Sequence, residues 1–272
     1  MIKAEENSKI VSDGSLKAEL DSLAVKYETK DFIKDDPVQF IHIFKDKKDI
    51  ELAGLLAALF AFGKREVFIK KLNTLFNLTE MKPFEFAANF ESEKILDGFN
   101  YRFIKECDLG AFFSAYRKLI CKDKMSLEEL FNAGYKKEGS VFGCLQYVCD
   151  YFYGNASDNG RVCEFPGYKF MLSNPKNKGA MKRMNMFLRW MIRKNSPVDI
   201  GVWNFISPSE LFIPLDVHVG NISRSLGLLK RNQNDARAVF ELTSKLKEFD
   251  PADPVKYDFA LFGYGVNKQK QA

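Results

Sequence analysis

The stretch IELAGLLAALFAF, residues 50–62, decides the fold class of this chain. It contains an eleven-residue apolar run from Leu52 to Phe62, whereas a membrane-spanning helix needs about 20 apolar residues. Apolar residues also recur at helical spacing in residues 37–45 and 65–77. The stretch therefore predicts a helix buried in a protein core, with further helices on either side of it.

Helical spacing continues along the chain, whereas the alternation typical of strands is scarce. Ser126 followed by Glu129 has the spacing of a capping box, which predicts a helix start. Residues 155–166 predict a loop and residues 196–215 an extended segment. Further helices are predicted over residues 109–121, 126–133, 139–153, 179–193, 217–227, 235–249 and 254–264. Short and numerous helices predict an all-α fold, a multi-helix globular array.

Composition and motifs exclude several classes of protein. With 272 residues, 46% of them hydrophobic and 28% charged, the chain can bury a full core as one large domain or two small ones. The N-terminus has no apolar signal region, so a cytoplasmic location is expected. Phosphate-loop, dinucleotide-binding and nucleophile-elbow motifs are absent from the sequence.

The cysteines and histidines argue against a metal site. The cysteine count is odd and lacks CxxC spacing, which is typical of free thiols. With only His42 and His218 as histidines, a zinc enzyme is not expected, and we predict no metal and no cofactor. The five cysteines are Cys107, Cys121, Cys144, Cys149 and Cys163.

The net charge of +5 is unevenly distributed. Residues 165–198 carry eight basic side chains and no acidic one, so the rest of the chain carries −3. Such a run often marks only a solvated face. It also suits a phosphate-binding surface, and the turn at residues 174–179 offers backbone N–H groups at a helix start. We favour contact with nucleic acid. The basic residues are Lys169, Lys176, Lys178, Lys182, Arg183, Arg189, Arg193 and Lys194.

Asp216 is a candidate functional carboxylate. It follows Pro214, which cannot lie within a helix, and precedes the predicted helix 217–227. An aspartate at such a position is most often only an N-cap. A capping carboxylate also has a fixed position and favours its charged form, so beside a basic surface it could stabilise a cationic transition state.

Two motifs, in this order, resemble those of the helix-hairpin-helix DNA glycosylases, which include endonuclease III and the 8-oxoguanine glycosylases. They are Gly179-Ala180-Met181-Lys182, which opens a helix, and Pro214-Leu215-Asp216-Val217-His218-Val219. The resemblance covers about residues 37–265, is that of a bacterial branch, and is closest in spacing to the archaeal 8-oxoguanine glycosylases. It implies a helix-hairpin-helix motif and two helical lobes with a cleft between them. We expect a single unit over 1–272, with lobes formed by 1–36 with 165–272 and by 37–164.

The sequence also departs from that superfamily. The usual hairpin is L-P-G-x-G-x-K, and its pair of glycines is missing before Lys182, which argues against a hairpin-bound monovalent cation. Lys182 and Asp216 are 34 positions apart, which exceeds the usual distance, so residues 195–211, with Trp203, must form an added loop or turn. No cysteine follows Gly265, so no iron–sulfur cluster is expected.

The resemblance implies catalytic roles for two residues. Lys182 would be the nucleophile that forms a Schiff base with the sugar, and Asp216 would stabilise the cationic sugar and assist deprotonation of the lysine. Lys178 is the rival nucleophile, and Lys182 taken alone is more often a surface lysine. The implied function is a base-excision-repair glycosylase with AP lyase activity that removes an oxidised purine such as 8-oxoguanine. Its partner would be double-stranded DNA with a damaged base.

The resemblance also implies DNA and base contacts. Asp258, Phe262 and Trp190 are candidates for the base pocket, although core packing explains such residues nearly as well.

The expected protein is a nucleoid-associated monomer without a membrane partner. One alternative is a non-catalytic DNA- or RNA-binding protein, and another is a helical scaffold for an acidic protein. The residues expected to contact DNA are Lys176, Lys178, Gly179, Arg183, Arg189 and His218.

Overall fold

The predicted all-α class is confirmed. The computed structural model describes residues 13–156 and 166–271, and within them it contains fourteen α-helices and one two-stranded sheet. The helices are α1 (Asp13–Tyr27), α2 (Lys30–Ile33), α3 (Gln39–Ile43), α4 (Lys47–Phe60), α5 (Arg65–Leu78), α6 (Pro83–Ala88), α7 (Glu106–Arg117), α8 (Leu127–Glu138), α9 (Val141–Gly154), α10 (Pro166–Met171), α11 (Lys182–Ile192), α12 (Val217–Ser225), α13 (Ala236–Phe249) and α14 (Tyr257–Gln271). Strands β1 (Asn100–Tyr101) and β2 (Ile104–Lys105) form an antiparallel hairpin.

The capping box predicted at Ser126 is confirmed. The Ser126 hydroxyl accepts a hydrogen bond from the backbone N–H of Glu129 at 3.2 Å, and the Glu129 carboxylate accepts one from the N–H of Ser126 at 2.7 Å. The predicted loop 155–166 lies largely outside the described residues, as does Cys163. The other four cysteines are free thiols, as expected.

Several elements differ from the predictions. Helix α7 starts at Glu106, earlier than predicted, and its end at Arg117 is followed by one π-helical turn over residues 118–122. The β1–β2 hairpin, α1, α2, α6 and α10 were not predicted. Two-residue strands are too short to show alternation, whereas α1 has the buried residues Leu16, Leu20, Leu23 and Ala24 at helical spacing, a signal that the prediction missed.

The larger apolar cluster is built around α4, in which every residue from Ile50 to Phe60 is buried. Helix α11 packs directly on it, and Gly54 makes this close approach feasible. A Cβ at Gly54 would lie 2.9 Å from Ile41 Cγ2 and 3.1 Å from Met191 Cε. The stretch that predicted the fold class thus also sets the position of α11.

A second apolar cluster joins α1, α12, α13 and α14. Its fully buried members include Leu20, Leu242 and Leu261. The predicted lobe boundaries remain a prediction. Helix α11 belongs to one predicted lobe and α4 to the other, yet the two helices pack together in the first apolar cluster. Within the described residues, no helix is both long enough and apolar enough to cross a membrane.

The added segment 195–211 closes the C-terminal end of α11. The N–H groups of Ile200 and Gly201 donate to the carbonyl of Trp190 at 3.0 Å, and that of Trp203 donates to Met191 at 2.8 Å. The Trp203 ring is fully buried, and its indole N–H donates to Glu51 at 2.8 Å. The predicted loop is therefore an anchored cap on α11.

Candidate active site

Lys182 stands at the first position of α11, next to a turn with unusual backbone angles. Met181, directly before it, has a φ of +51°. Earlier in the turn, the Asn174 side chain caps a short 3₁₀ helix, Pro175–Asn177, and Lys178 has a φ of +57°. Both positive angles lie in the left-handed region, which favours glycine. The Lys182 side chain is 31% exposed.

The structure brings Lys182 and Asp216 together. The Lys182 ammonium lies 3.7 Å from Asp216 Oδ2, although the two residues are 34 positions apart. Asp216 is the N-cap of α12, and its Oδ1 accepts a hydrogen bond from the N–H of Val219 at 2.9 Å. The Asn234 side chain donates to the backbone carbonyl of Asp216 at 3.0 Å. One carboxylate oxygen is therefore held by the helix while the other faces the lysine.

A second carboxylate, Asp258, belongs to the same region. It lies in the first turn of α14, its side chain is 18% exposed, and it forms an ion pair with Arg189. Burial raises the pKa of Asp258 to about 6; Arg189 and Lys182 act against this shift, whereas the charge of Asp216 adds to it. The ionised form therefore prevails at neutral pH.

A third carboxylate, Asp36, was not predicted. It is half-buried in the segment before α3, and its Oδ1 accepts a hydrogen bond from the N–H of Val38 at 3.0 Å. Burial raises its pKa, and the charges of Arg189, Arg65 and Lys182 act against that shift. The Asp-Pro string at 36–37 indicates only a turn, so the electrostatic effect of Lys182 on Asp36 comes from the fold.

A pocket of about 420 Å³ adjoins Lys182. Phe62 and Arg183 are among its lining residues, and the Arg183 guanidinium lies 5.5 Å from the centre of the Phe62 ring. Its remaining lining comes from Ala61, Met171, Ser173, Asn174, Asn177, Gly179, Ala180, Met181, Lys182 and Met184. The pocket thus combines an apolar wall with a partly exposed lysine.

The expected phosphate contact of Arg189 is wrong. Its side chain is 3% exposed, and its guanidinium pairs with Asp199 at 3.2 Å and with Asp258. Arg193 is buried as well, with Glu28 at 2.8 Å and Asp253 at 2.9 Å. Two of the eight cations of the basic run thus neutralise internal carboxylates. The run does not form a single phosphate-binding face.

Arg183 is also largely engaged within the protein. Its guanidinium donates to the Leu59 carbonyl at 2.7 Å, to the Ser173 hydroxyl at 3.0 Å and to the Phe170 carbonyl. Burial lowers the pKa of Arg183 to about 10. These hydrogen bonds connect α11 to α4, to α10 and to Ser173 after α10. A phosphate contact would have to use the remaining N–H donors of Arg183.

The other residues expected to contact DNA lie at or near the surface. Lys178 and His218 are exposed, and the Lys176 side chain is 66% exposed, with its ammonium 3.2 Å from Asp150. Gly179 forms a backbone bridge with Asp235. Their contacts with DNA stay predictions.

The base-pocket candidates separate into two groups. The expected role of Trp190 is wrong, because its ring is fully buried in the larger apolar cluster. Phe262 is half-buried, and its ring packs edge-on against Tyr27 at 6.2 Å and Phe32 at 5.2 Å. Asp258 and Phe262 therefore stay candidates, both on α14.

Comparisons with known proteins give one family. A family model described as protein of unknown function (DUF2400) matches residues 36–267. No curated protein matches, and no solved structure matches. Since the match covers most of the 272 residues, the chain belongs to this family.

Proposed function

We propose that this member of the DUF2400 family is a base-excision DNA glycosylase with AP lyase activity. The observation that carries the proposal is the 3.7 Å separation of Lys182 Nζ from Asp216 Oδ2. A nucleophilic amine beside a carboxylate with a fixed position is the pair that Schiff-base chemistry on a sugar requires. The resemblance to helix-hairpin-helix glycosylases implies the same chemistry for these two residues.

The proposed reaction starts when the free amine of Lys182 attacks C1′ of the damaged nucleotide. The glycosidic bond breaks, its electron pair leaves with the base, and the base takes up a proton. Asp216 stabilises the positive charge that develops on the sugar and accepts a proton from the lysine nitrogen. Ring opening gives a Schiff base, loss of a C2′ proton expels the 3′ phosphate, and water then releases Lys182.

The backbone of the turn supports the assignment of residues 172–181 as a helix-hairpin-helix hairpin. When the motif L-P-G-x-G-x-K is aligned on Lys182, its first glycine falls on position 178. Lys178 has a φ of +57°, the conformation in which glycine is the default residue. The lysine therefore keeps the glycine-type backbone while adding a cation.

An oxidised purine such as 8-oxoguanine is the proposed substrate class. Such enzymes extrude the base and read its edge by hydrogen bonds. Asp258, held by Arg189, has a carboxylate that can accept hydrogen bonds from the N–H groups of guanine, and Phe262 lies one turn further along α14. Lys176, Lys178 and His218 would contact the DNA backbone.

Borohydride trapping tests the proposal. The protein is incubated with duplex DNA that contains an abasic site or 8-oxoguanine and is then reduced, which converts a Schiff base into a stable adduct. We expect an adduct with the unmodified protein and none with Lys182→Ala. Lys178→Ala is the matched control, since it removes a lysine from the same turn and should still give the adduct.

Three outcomes would change the assignment. Trapping by Lys182→Ala but not by Lys178→Ala would make Lys178 the nucleophile. Salt-dependent DNA binding with neither adduct nor base release would refute the proposed enzymatic activity and favour a non-catalytic DNA-binding protein. Base release from another lesion, in a panel of damaged duplexes, with none from 8-oxoguanine would refute the substrate class alone.

A further inference from the structure

An exposed aromatic cluster lies beside the pocket that adjoins Lys182. Phe103 is 54% exposed and Phe170 is 37% exposed, and their ring centres are 5.1 Å apart. Phe170 in turn lies 4.7 Å from Phe62, which lines that pocket. The three rings form a continuous apolar path from the protein surface to the pocket.

Two arginines flank these rings. The Arg102 guanidinium lies 5.6 Å from the centre of Phe103 and 5.9 Å from that of Phe62. The Arg183 guanidinium lies 4.8 Å from the centre of Phe170. Arg102 is exposed and forms no ion pair with any carboxylate of the described residues. The cluster is therefore both apolar and positively charged, and we call Phe62, Arg102, Phe103, Phe170 and Arg183 the aromatic–arginine patch.

The backbone of Arg102 is strained. Arg102 and Phe103 form the two-residue turn between β1 and β2, and Arg102 has a φ of +53°. A left-handed conformation costs a residue with a Cβ about 1–2 kcal/mol relative to a glycine. The Arg102 guanidinium lies against Gly63, where a Cβ would collide with it. An arginine at this position therefore costs some stability, which suits a functional side chain.

We propose that the aromatic–arginine patch stacks on an unpaired nucleobase of the DNA next to the reacting nucleotide. Exposed aromatic rings with nearby arginines bind bases through their flat faces, and their positive charge suits a polyanion rather than a cationic partner. The patch is adjacent to the Lys182 pocket, so the base it contacts would be the former partner of the nucleotide on which Lys182 acts, which is left unpaired when that nucleotide is extruded. The inference rests on the proposed function for its DNA partner.

The test compares the affinities for two labelled duplexes, measured by fluorescence anisotropy. One is fully paired, and the other carries a tetrahydrofuran abasic analogue, which leaves an unpaired base opposite and cannot form a Schiff base. We expect Phe103→Ala to weaken binding of the abasic-analogue duplex about tenfold and to leave the paired duplex unchanged. Phe240→Ala is the matched control, since Phe240 is 40% exposed and packs on Phe142 and Phe212, outside the patch.

Arg102→Gly separates folding from binding. Because glycine relieves the left-handed conformation, the melting temperature should stay the same or rise, while affinity for the abasic-analogue duplex falls. Weakened binding therefore cannot be attributed to misfolding. A large drop in melting temperature would contradict the strained-turn argument.

The outcomes distinguish this inference from the proposed function. Suppose that the unmodified protein gives the borohydride adduct but that Phe103→Ala and Arg102→Gly bind the abasic-analogue duplex normally. The patch proposal is then overturned, whereas the proposed glycosylase function is supported. If the unmodified protein binds no DNA, both the stacking proposal and the proposed glycosylase function are refuted. If sedimentation shows self-association that Phe103→Ala abolishes while DNA affinity is unchanged, the patch is an interface between copies, and the stacking proposal is again overturned.

Discussion

At the residue scale, Asp216 has two roles that a substitution can separate. Its Oδ1 caps α12 through Val219, and its Oδ2 faces Lys182. The capping role needs only an oxygen acceptor, whereas the proposed catalytic role needs a negative charge. Sequence reasoning predicted both roles, because an aspartate before a helix is recognisable from its neighbours, but the contact with Lys182 depends on the tertiary structure.

We expect Asp216→Asn to leave the free energy of unfolding within about 0.5 kcal/mol, since asparagine is an equally good N-cap. Base release should fall by at least about a hundredfold, because the charge on the carboxylate is lost. Denaturant unfolding and single-turnover base release measure the two effects. Asp235→Asn is a matched control, since Asp235 caps α13 in the same way, at 3.1 Å from the N–H of Ala238. Equal losses of activity in both variants would refute a special role for Asp216.

Glu51 gives a prediction about pH. Burial raises its pKa to about 7, although its contacts with Trp203 and Lys47 act against this shift. Because the folded state then binds more protons than the unfolded state, Glu51 lowers the stability progressively as the pH rises from about 4.5 through 7.

Glu51→Gln keeps an acceptor for the Trp203 indole but removes the buried charge. At pH 8 it should raise the free energy of unfolding by up to about 3 kcal/mol, and at pH 4 it should have little effect. Urea unfolding across this pH range measures the difference. The same gain at pH 4 and at pH 8 would show that the ionisation of Glu51 is not the cause.

At the element scale, the packing of α11 on α4 sets the position of Lys182. The two helices approach closely at Gly54, opposite Met191, and the segment 195–211 holds the same C-terminal end of α11 through hydrogen bonds to the carbonyls of Trp190 and Met191. The apolar periodicity of α4 predicted its burial. It did not reveal which helix would cover Gly54, because a glycine in an apolar run fits several packing partners.

Gly54→Ala should lower the free energy of unfolding by about 1–3 kcal/mol, because the added methyl group would overpack the contact with Ile41. It should also slow base release, since α11 carries Lys182. Gly154→Ala, at the last position of α9 and with no atom within 4 Å of the added Cβ, is the matched control and should be neutral or slightly stabilising. Similar destabilisation in both variants would contradict the close-packing explanation.

At the scale of the whole molecule, Arg193 joins distant parts of the chain. Its guanidinium contacts Glu28 after α1, Asp199 in the 195–211 segment and Asp253 before α14. The side chains of Arg193 and Asp199 are almost completely buried, at 4% and 0% exposed. In the sequence, Arg193 looked like one more cation of the basic run, because its acidic partners lie far away along the chain.

Arg193→Met should destabilise the protein by about 3–5 kcal/mol at neutral pH, since Glu28 and Asp253 lose this counter-charge and the buried Asp199 keeps only Arg189. The loss should shrink at low pH, as those carboxylates take up protons. Thermal unfolding at several pH values measures both effects. Lys34→Met is the control, because Lys34 pairs with Asp31 at 3.0 Å on the surface and such pairs contribute little. A loss that does not change with pH would point to packing rather than charge.

The sequence by itself determined the all-α class, the buried helix at 50–62 and the caps at Ser126 and Asp216. These depend on periodicity and on hydrogen bonds between near neighbours, so a local stretch contains the information. Only the tertiary structure decided that Lys182 meets Asp216 and that the charge of Lys182 acts on Asp36. It also decided that Arg189 and Arg193 are internal counter-charges. The physical reason is that burial and partners far along the chain decide whether a charged side chain is paired inside the protein or exposed to solvent. The net charge of +8 over residues 165–198 does not contain this information.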